Sequence, residues 1–255
     1  MLFFKRILKQ PAPAEPSAPV IERRNEQRFS VSPEFPLKAL LGFVARDESG
    51  APMSSTRHGW NWKGRLIDCS EEGARLQVGP GIRIGVGESC DLKLSVHDFE
   101  LTLPCLVTNL SDQPEGVVLG LKHATEDHET LEGYRQLLEV IALGSTLKLQ
   151  DKTPSPDQSG YNLEVYGGPR AARLTVWRFP GQGQVAAFEL VLKDNLVRAA
   201  AGQPVEFFSD IDGTGSQPAS SEKCLEIGRL FQWVVPNLPP ELPGEVRAFL
   251  QYYAG

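Results

Sequence analysis

The chain has 255 residues, 41% of them hydrophobic, and a formal net charge of -6, which is enough apolar material for one large core or two modest ones and excludes disorder throughout. A pI near 5.4 leaves no basic face of the kind that DNA or RNA binding requires, so neither is an expected partner, and any bound anion must be small and met locally. Cys69, Cys90, Cys105 and Cys224 have no CxxC-type spacing and read as buried thiols of a reducing compartment. With no run near the roughly 20 apolar residues of a membrane span, the expected location is the cytoplasm.

Residues 1–20 read as a proline-rich tail. The stretch "QPAPAEPSAP" favours extended geometry and offers no core. Its tip alternates Leu2, Phe3, Phe4, Ile7 and Leu8 with Lys5, Arg6 and Lys9, which as a helix would be amphipathic and basic. Weak membrane-surface contact of residues 1–9 is one reading; a frayed terminus is the other, because so short a helix is marginal in water.

The stretch "ERRNEQRF", Glu22 to Phe29, then concentrates three arginines in eight residues of an acidic chain. A solvated charge cluster in which Arg24 and Arg28 pair with Glu22 and Glu26 is the bland reading. The sharper one is that two guanidinium forks four residues apart grip a planar or anionic ligand, which lysines could not imitate. Arg23 is either a third such arginine or a solvated neighbour.

From Phe35 to about Lys122 short apolar runs separated by Gly, Pro, Asp or Asn indicate an antiparallel barrel or sandwich. The runs are "FPLKALLGFVA", "GRLIDCSEEGARLQV" as two strands around a turn, "CDLKLSV", "FELTLPCLVTNL" and "GVVLGLKH". A long insertion, "RDESGAPMSSTRHGWNWKG", carries Trp60 and Trp62, which face a ligand or partner or, more commonly for alternate aromatics, the core. "TEDHETLEGYRQLLEVIAL" changes to helical spacing through Leu131, Tyr134, Leu138 and Ile141, and a helix closing the barrel is the simplest assembly.

"QDKTPSPDQSG", residues 150–160, is polar, contains two prolines and reads as a linker. Residues 161–255 are expected to form a smaller α+β domain, with a five-strand meander, a helix over "EKCLEIGRLFQWVV" capped by serine and stopped by Pro236, and a shorter helix from about Glu245 to Tyr253. Asp210 and Asp212 in "SDIDGTG" look like a phosphatase nucleophile motif, but the short tail after them cannot supply its partners, so an Asp/Gly turn is expected. His58, His97, His123 and His128 lack metal-ligand spacing, and "VGPGIRIGVGES" lacks the spacing of a phosphate cradle. No metal, cofactor or catalytic constellation is expected.

Forty residues after the arginine cluster comes Asp68-x-Ser70-x-x-Gly73 at a strand-to-strand turn. "ERR", three residues, Arg, and then this motif in a β context resemble the bacterial PilZ domain over Ile21 to about Gly144. That resemblance implies a mainly β fold: a six-stranded antiparallel barrel with a closing helix over residues 21–149, followed by the α+β domain. It also implies that the chain is a non-enzymatic receptor for cyclic di-GMP, which Arg24, Arg28, Asp68, Ser70 and Gly73 would bind. The chemistry fits, because guanine O6 and N7 accept an arginine fork while N1–H and the N2 amine need acceptors such as Asp68 and Ser70. Binding would change the contacts of the tail or second domain with a protein partner. A PilZ-like scaffold that binds proteins and no nucleotide is the alternative.

Overall fold

The computed structural model describes residues 26–43, 61–152, 160–181, 183–209 and 217–255. Arg23, Arg24, Trp60, Asp210, Asp212 and residues 1–20 lie outside them.

Seven strands make the first sheet: β1 (Phe29–Ser30), β2 (Lys38–Phe43), β3 (Asn61–Cys69), β4 (Gly73–Val78), β5 (Ser89–Val96), β6 (Phe99–Gln113) and β7 (Gly116–His123). Six of them run in the order β3-β2-β5-β6-β7-β4, and β4 pairs back onto β3, so the sheet closes into the expected antiparallel barrel and leaves few edges to protect. Strict alternation drives this closure. In β5, Cys90, Leu92, Leu94 and Val96 are buried while Lys93 between them is exposed, as a period of two requires when one face meets a core. Trp62 pairs with Leu41 across β2 and β3 and packs, half-buried, against that core.

β1 is a two-residue addition to the end of β3, with Phe29 opposite Cys69 and Ser30 opposite Asp68. This short pairing fixes where the arginine arm enters the barrel.

Helix α1 (His128–Ser145) starts where the Asp127 carboxylate accepts from the Thr130 N–H, a side-chain cap of the usual kind. Its inner residues divide between two cores. Tyr134, Leu137, Leu138 and Ile141 fill the barrel, whereas Val140, Leu143 and the following Leu147 belong to the core of the second half.

The second half is a seven-strand antiparallel meander in chain order: β8 (Lys148–Lys152), β9 (Asn162–Gly167), β10 (Ala172–Arg178), β11 (Val185–Leu192), β12 (Asn195–Ala200), β13 (Glu206–Ser209) and β14 (Gln217–Pro218). The five strands expected from sequence are β9 to β13, and edge strands β8 and β14 extend them. Gln150 to Lys152 of the expected linker therefore complete β8. Helices α2 (Ser221–Val234) and α3 (Gly244–Ala254) cover one face, where Phe188 packs against Phe231, Phe249 and Tyr253. Ser220 caps α2 by accepting from the Lys223 N–H.

An ion cluster centred on the buried pair Glu164 and Arg178 ties the sheet to α3. Glu164 accepts from Arg178 Nε and the Tyr166 hydroxyl, both at 2.9 Å, and pairs with Lys152 at 2.8 Å, while Arg178 also reaches Glu245 at 3.1 Å. Burial opposes the charge on Glu164, but the hydrogen bonds from Lys152, Arg178 and Tyr166 outweigh it and hold the carboxyl below its usual range.

Asn237, 1% exposed, joins the two halves. Its Oδ1 accepts from the Ser32 N–H at 2.7 Å and its Nδ2 donates to the Ile141 carbonyl at 2.9 Å, so one side chain bridges the segment after β1, helix α1 and the turn after α2. Gly144 lies so close to the Val234 and Asn237 carbonyls that a Cβ there would collide with backbone. Trp233 meets Phe99 edge-on on the other flank.

Two tests follow from this packing. Asn237→Ala strands buried partners on both sides and should cost about 1–3 kcal/mol in chemical denaturation. The second concerns acid. His123 of β7 lies edge-on to Tyr134, and burial lowers its pKa from 6.5 to about 4, so the unfolded chain takes up a proton before the folded one does. Stability should be full above pH 6.5 and decline as pH falls towards 4; loss of the Glu164 contribution should add to the decline below about pH 4.5. Urea midpoints between pH 8 and 4 check this, and a His123→Gln variant should lose the upper part of the fall.

Candidate functional site

The turn between β3 and β4 carries Asp68, Ser70 and Gly73, and pairing of β1 with the end of β3 lays Arg28 across it. Arg28 Nε donates to Asp68 Oδ1 at 2.6 Å, and Nη1 lies 3.5 Å from Ser70 Oγ. Asp68 Oδ2 takes a second guanidinium, Arg75 Nη2, at 2.7 Å. Asp68 and Arg75 are directly opposite across the β3–β4 pair, an arrangement that favours opposite charges. The Asp68 side chain is 10% exposed, those of Arg28 and Arg75 26% and 40%. A nearly buried carboxylate thus holds two arginines whose outer edges face solvent.

Glu26 completes the outer side. Its Oε2 accepts from the Ser70 hydroxyl at 2.9 Å and its Oε1 from the Glu72 N–H at 2.8 Å. On the inner side the Tyr134 hydroxyl lies 3.0 Å from the Ser70 carbonyl and 3.2 Å from that of Gly73, so α1 holds the turn from within the barrel. Ser70 N–H donates to the Gly73 carbonyl at 2.8 Å. Gly73 matters for space: a Cβ there would run into the Leu121 carbonyl of the neighbouring strand, and backbone cannot yield to it cheaply. Cys69, facing inward between the two acceptors, has its thiol pushed up to about 12 by burial and then by the Asp68 charge, which makes it an inert core thiol.

Of the residues singled out from sequence, Arg28, Asp68 and Ser70 converge, and Gly73 ends the same turn. Arg23 and Arg24 lie outside the described residues. Sequence reasoning missed Glu26, Arg75 and Tyr134 as members of the site. Arg75 is accessible from sequence, since a tight hairpin places it opposite Asp68; Glu26 reads in sequence only as a partner for the arm's arginines, and Tyr134 only as one position of the helical period.

The site also has a wall from the second half. A cleft of about 540 Å³ runs from Arg28 and Phe29 to Thr146, Lys148, Gly167 and Pro169. Next to it the Arg170 guanidinium sits 4.9 Å from the Phe29 ring centroid, and its Nη2 is 3.7 Å from Glu71 in the motif turn. Among the described residues no group of three or more His, Cys, Asp or Glu side chains is placed to hold a metal ion, and no helix is long and apolar enough to cross a membrane.

Comparison with known protein families agrees with the barrel. Residues 22–139 match the family model described as the PilZ domain. Solved structures that resemble the chain include two with bound c-di-GMP. One is the K. pneumonia MrkH–c-di-GMP complex, 15% identical over 46% of this chain and 52% of that one, with a TM-score of 0.35. The other is the PilZ domain of YcgR from Escherichia coli with c-di-GMP, 12% identical over 46% of this chain and 89% of that one, with a TM-score of 0.33. The match thus spans about half the length of MrkH. Comparison with curated proteins finds no match. Residues 22–139, the barrel together with its arginine arm and acidic turn, belong to the PilZ domain family.

Proposed function

We propose that the chain is a non-enzymatic receptor for cyclic di-GMP that reads the dinucleotide with Arg24, Arg28 and the Asp68–Gly73 turn. The observation that carries this reading is the meeting of Arg28 with Asp68 and Ser70, about forty residues away in sequence, within hydrogen-bond reach. Asp68 fixes the Arg28 guanidinium by its Nε edge, and a guanidinium so held has its remaining donors oriented before a ligand arrives. Those donors suit guanine O6 and N7, or a phosphate. Arg24, four residues upstream in sequence, and Arg23 would add further cations to the ligand.

In the structure the acceptors are engaged: both Asp68 oxygens hold arginines, and the Ser70 hydroxyl donates to Glu26. A guanine Watson–Crick edge would therefore enter by exchange, its N1–H and N2 amine taking carboxylate oxygens from the present partners. Such an exchange moves the arm, and β1 with it. Because the segment after β1 is bonded to Asn237, the second half would receive that movement, and an altered contact with a protein partner in the cytoplasm would be the output.

The same engaged acceptors favour the second reading, a scaffold that binds proteins and no nucleotide. Calorimetric titration separates the two. The receptor reading predicts saturable binding of cyclic di-GMP and much weaker binding of cyclic di-AMP, since adenine places a donor where guanine has O6. Arg28→Ala and Arg24→Ala should each cost roughly 1.5–3 kcal/mol of binding. Absence of binding by a folded protein, or equal affinity for the adenine dinucleotide, would refute the receptor reading.

A further inference from the structure

We propose that the second half of the chain supplies part of the nucleotide site: Lys148, from β8, in the lining of the cleft beside Arg28, and Arg170, from the β9–β10 turn next to that cleft, contact the ligand. This inference rests on the receptor reading above and adds residues outside the matched PilZ segment. Three independent features lead to it.

The first is the cleft itself. At about 540 Å³ it falls within the range of small-molecule sites. One of its walls is the arginine arm and the other is the β8–β9 edge of the second sheet, so a ligand seated against Arg28 would touch both.

The second is the placement of Arg170. Its guanidinium rests on the Phe29 ring, the residue after Arg28, and reaches Glu71 inside the Asp68–Gly73 motif. The ring covers one side of this guanidinium, and the Arg170 side chain remains 33% exposed. The open side is a platform on which a purine can stack, with the charge available to a phosphate. The ion pair to Glu71, at 3.7 Å and with Glu71 67% exposed, is weak enough to be exchanged for a ligand anion.

The third is the turn that presents it. Ala171 has a φ of 51°, left-handed backbone that a residue with a Cβ adopts at some cost. It is held there by two hydrogen bonds, from the Gly168 N–H to the Ala172 carbonyl and from the Lys193 N–H to the Ala171 carbonyl. The turn is fixed by β10 and β11, so Arg170 is aimed before a ligand binds. Lys148 stands exposed in the lining of the same cleft, where an ammonium adds charge without shape. A cyclic dinucleotide carries two phosphates, and the barrel and second half would each neutralise one.

Titration of the full chain with cyclic di-GMP, at two salt concentrations, tests this. Arg170→Ala and Lys148→Glu should each weaken binding by roughly tenfold or more, as loss or reversal of a charge-assisted contact implies, and both should flatten its salt dependence. Arg170→Lys, which keeps the charge and loses the flat group, should recover only part of the loss. Arg229→Ala, beside Asp98, removes a cation away from the cleft and should bind like the parent. Since Arg170 also contacts Phe29, thermal unfolding is measured alongside; Lys148 is exposed on an edge strand, and its reversal tests the wall without a packing change. Parent binding that is lost in Arg28→Ala but unchanged in Arg170→Ala and Lys148→Glu overturns this inference and leaves the receptor reading intact. Failure of the parent to bind overturns both.

Discussion

Asp68 is the constraint on which the rest of the site depends. A carboxylate with a 10% exposed side chain is costly without cationic partners, and this one has two, Arg28 at 2.6 Å and Arg75 at 2.7 Å. Arg75 comes from the same hairpin and would be present in any barrel of this register. Arg28 comes from outside it, so its pairing with Asp68 fastens the arm to the barrel. β1 then has only two residues to pair, too few to hold by themselves. Glu26 adds a second fastening two residues upstream, through Ser70 and the Glu72 N–H. Because both arginines are partly solvated, the ion pairs contribute less to stability than fully buried ones would. That suits the exchange which the receptor reading proposes.

Helix α1 gives the arrangement a rigid back. Tyr134 holds the motif turn from inside, and seven residues later Ile141 offers its carbonyl to Asn237. One helix therefore supports the turn at one end and the junction of the two halves at the other. Asn237 also holds the Ser32 N–H, four residues after Arg28. The arm, turn and second half are linked by direct contacts, so movement at Arg28 has a short physical route to the second sheet.

The barrel was legible in the sequence because its strands obey the rule that a sheet with one wet face must obey. Cys90, Leu92, Leu94 and Val96 alternate without error, and α1 shows its period through Tyr134, Leu138 and Ile141. Arg, Asp, Ser and Gly at fixed spacing stand out in the sequence as well, and the fold brings Arg28, Asp68 and Ser70 together. What escaped had no local signal. β8 reads KLQDK with every residue exposed, so neither alternation nor a core face marked it, and the polar stretch that begins at Gln150 obscured its end. Asn237 looks like an ordinary residue after a helix, yet its three-way bonding is set by packing between distant segments. Arg170 likewise gains its place beside Phe29 only when the second sheet docks against the arm. The need for glycine at position 73 also comes from a distant segment, since the Leu121 carbonyl leaves no room for a Cβ.

The central claim is that the Arg28–Asp68 pairing is a latch that cyclic di-GMP exchanges. Nitrogen-15 NMR of the arginine Nε–H groups and backbone amides, followed through a titration with the dinucleotide, observes that latch directly. The account predicts that the Arg28 Nε–H and the Glu72 amide, now bonded to Asp68 and Glu26, shift together and saturate at one ligand concentration. Saturable binding that leaves both resonances unmoved would contradict it.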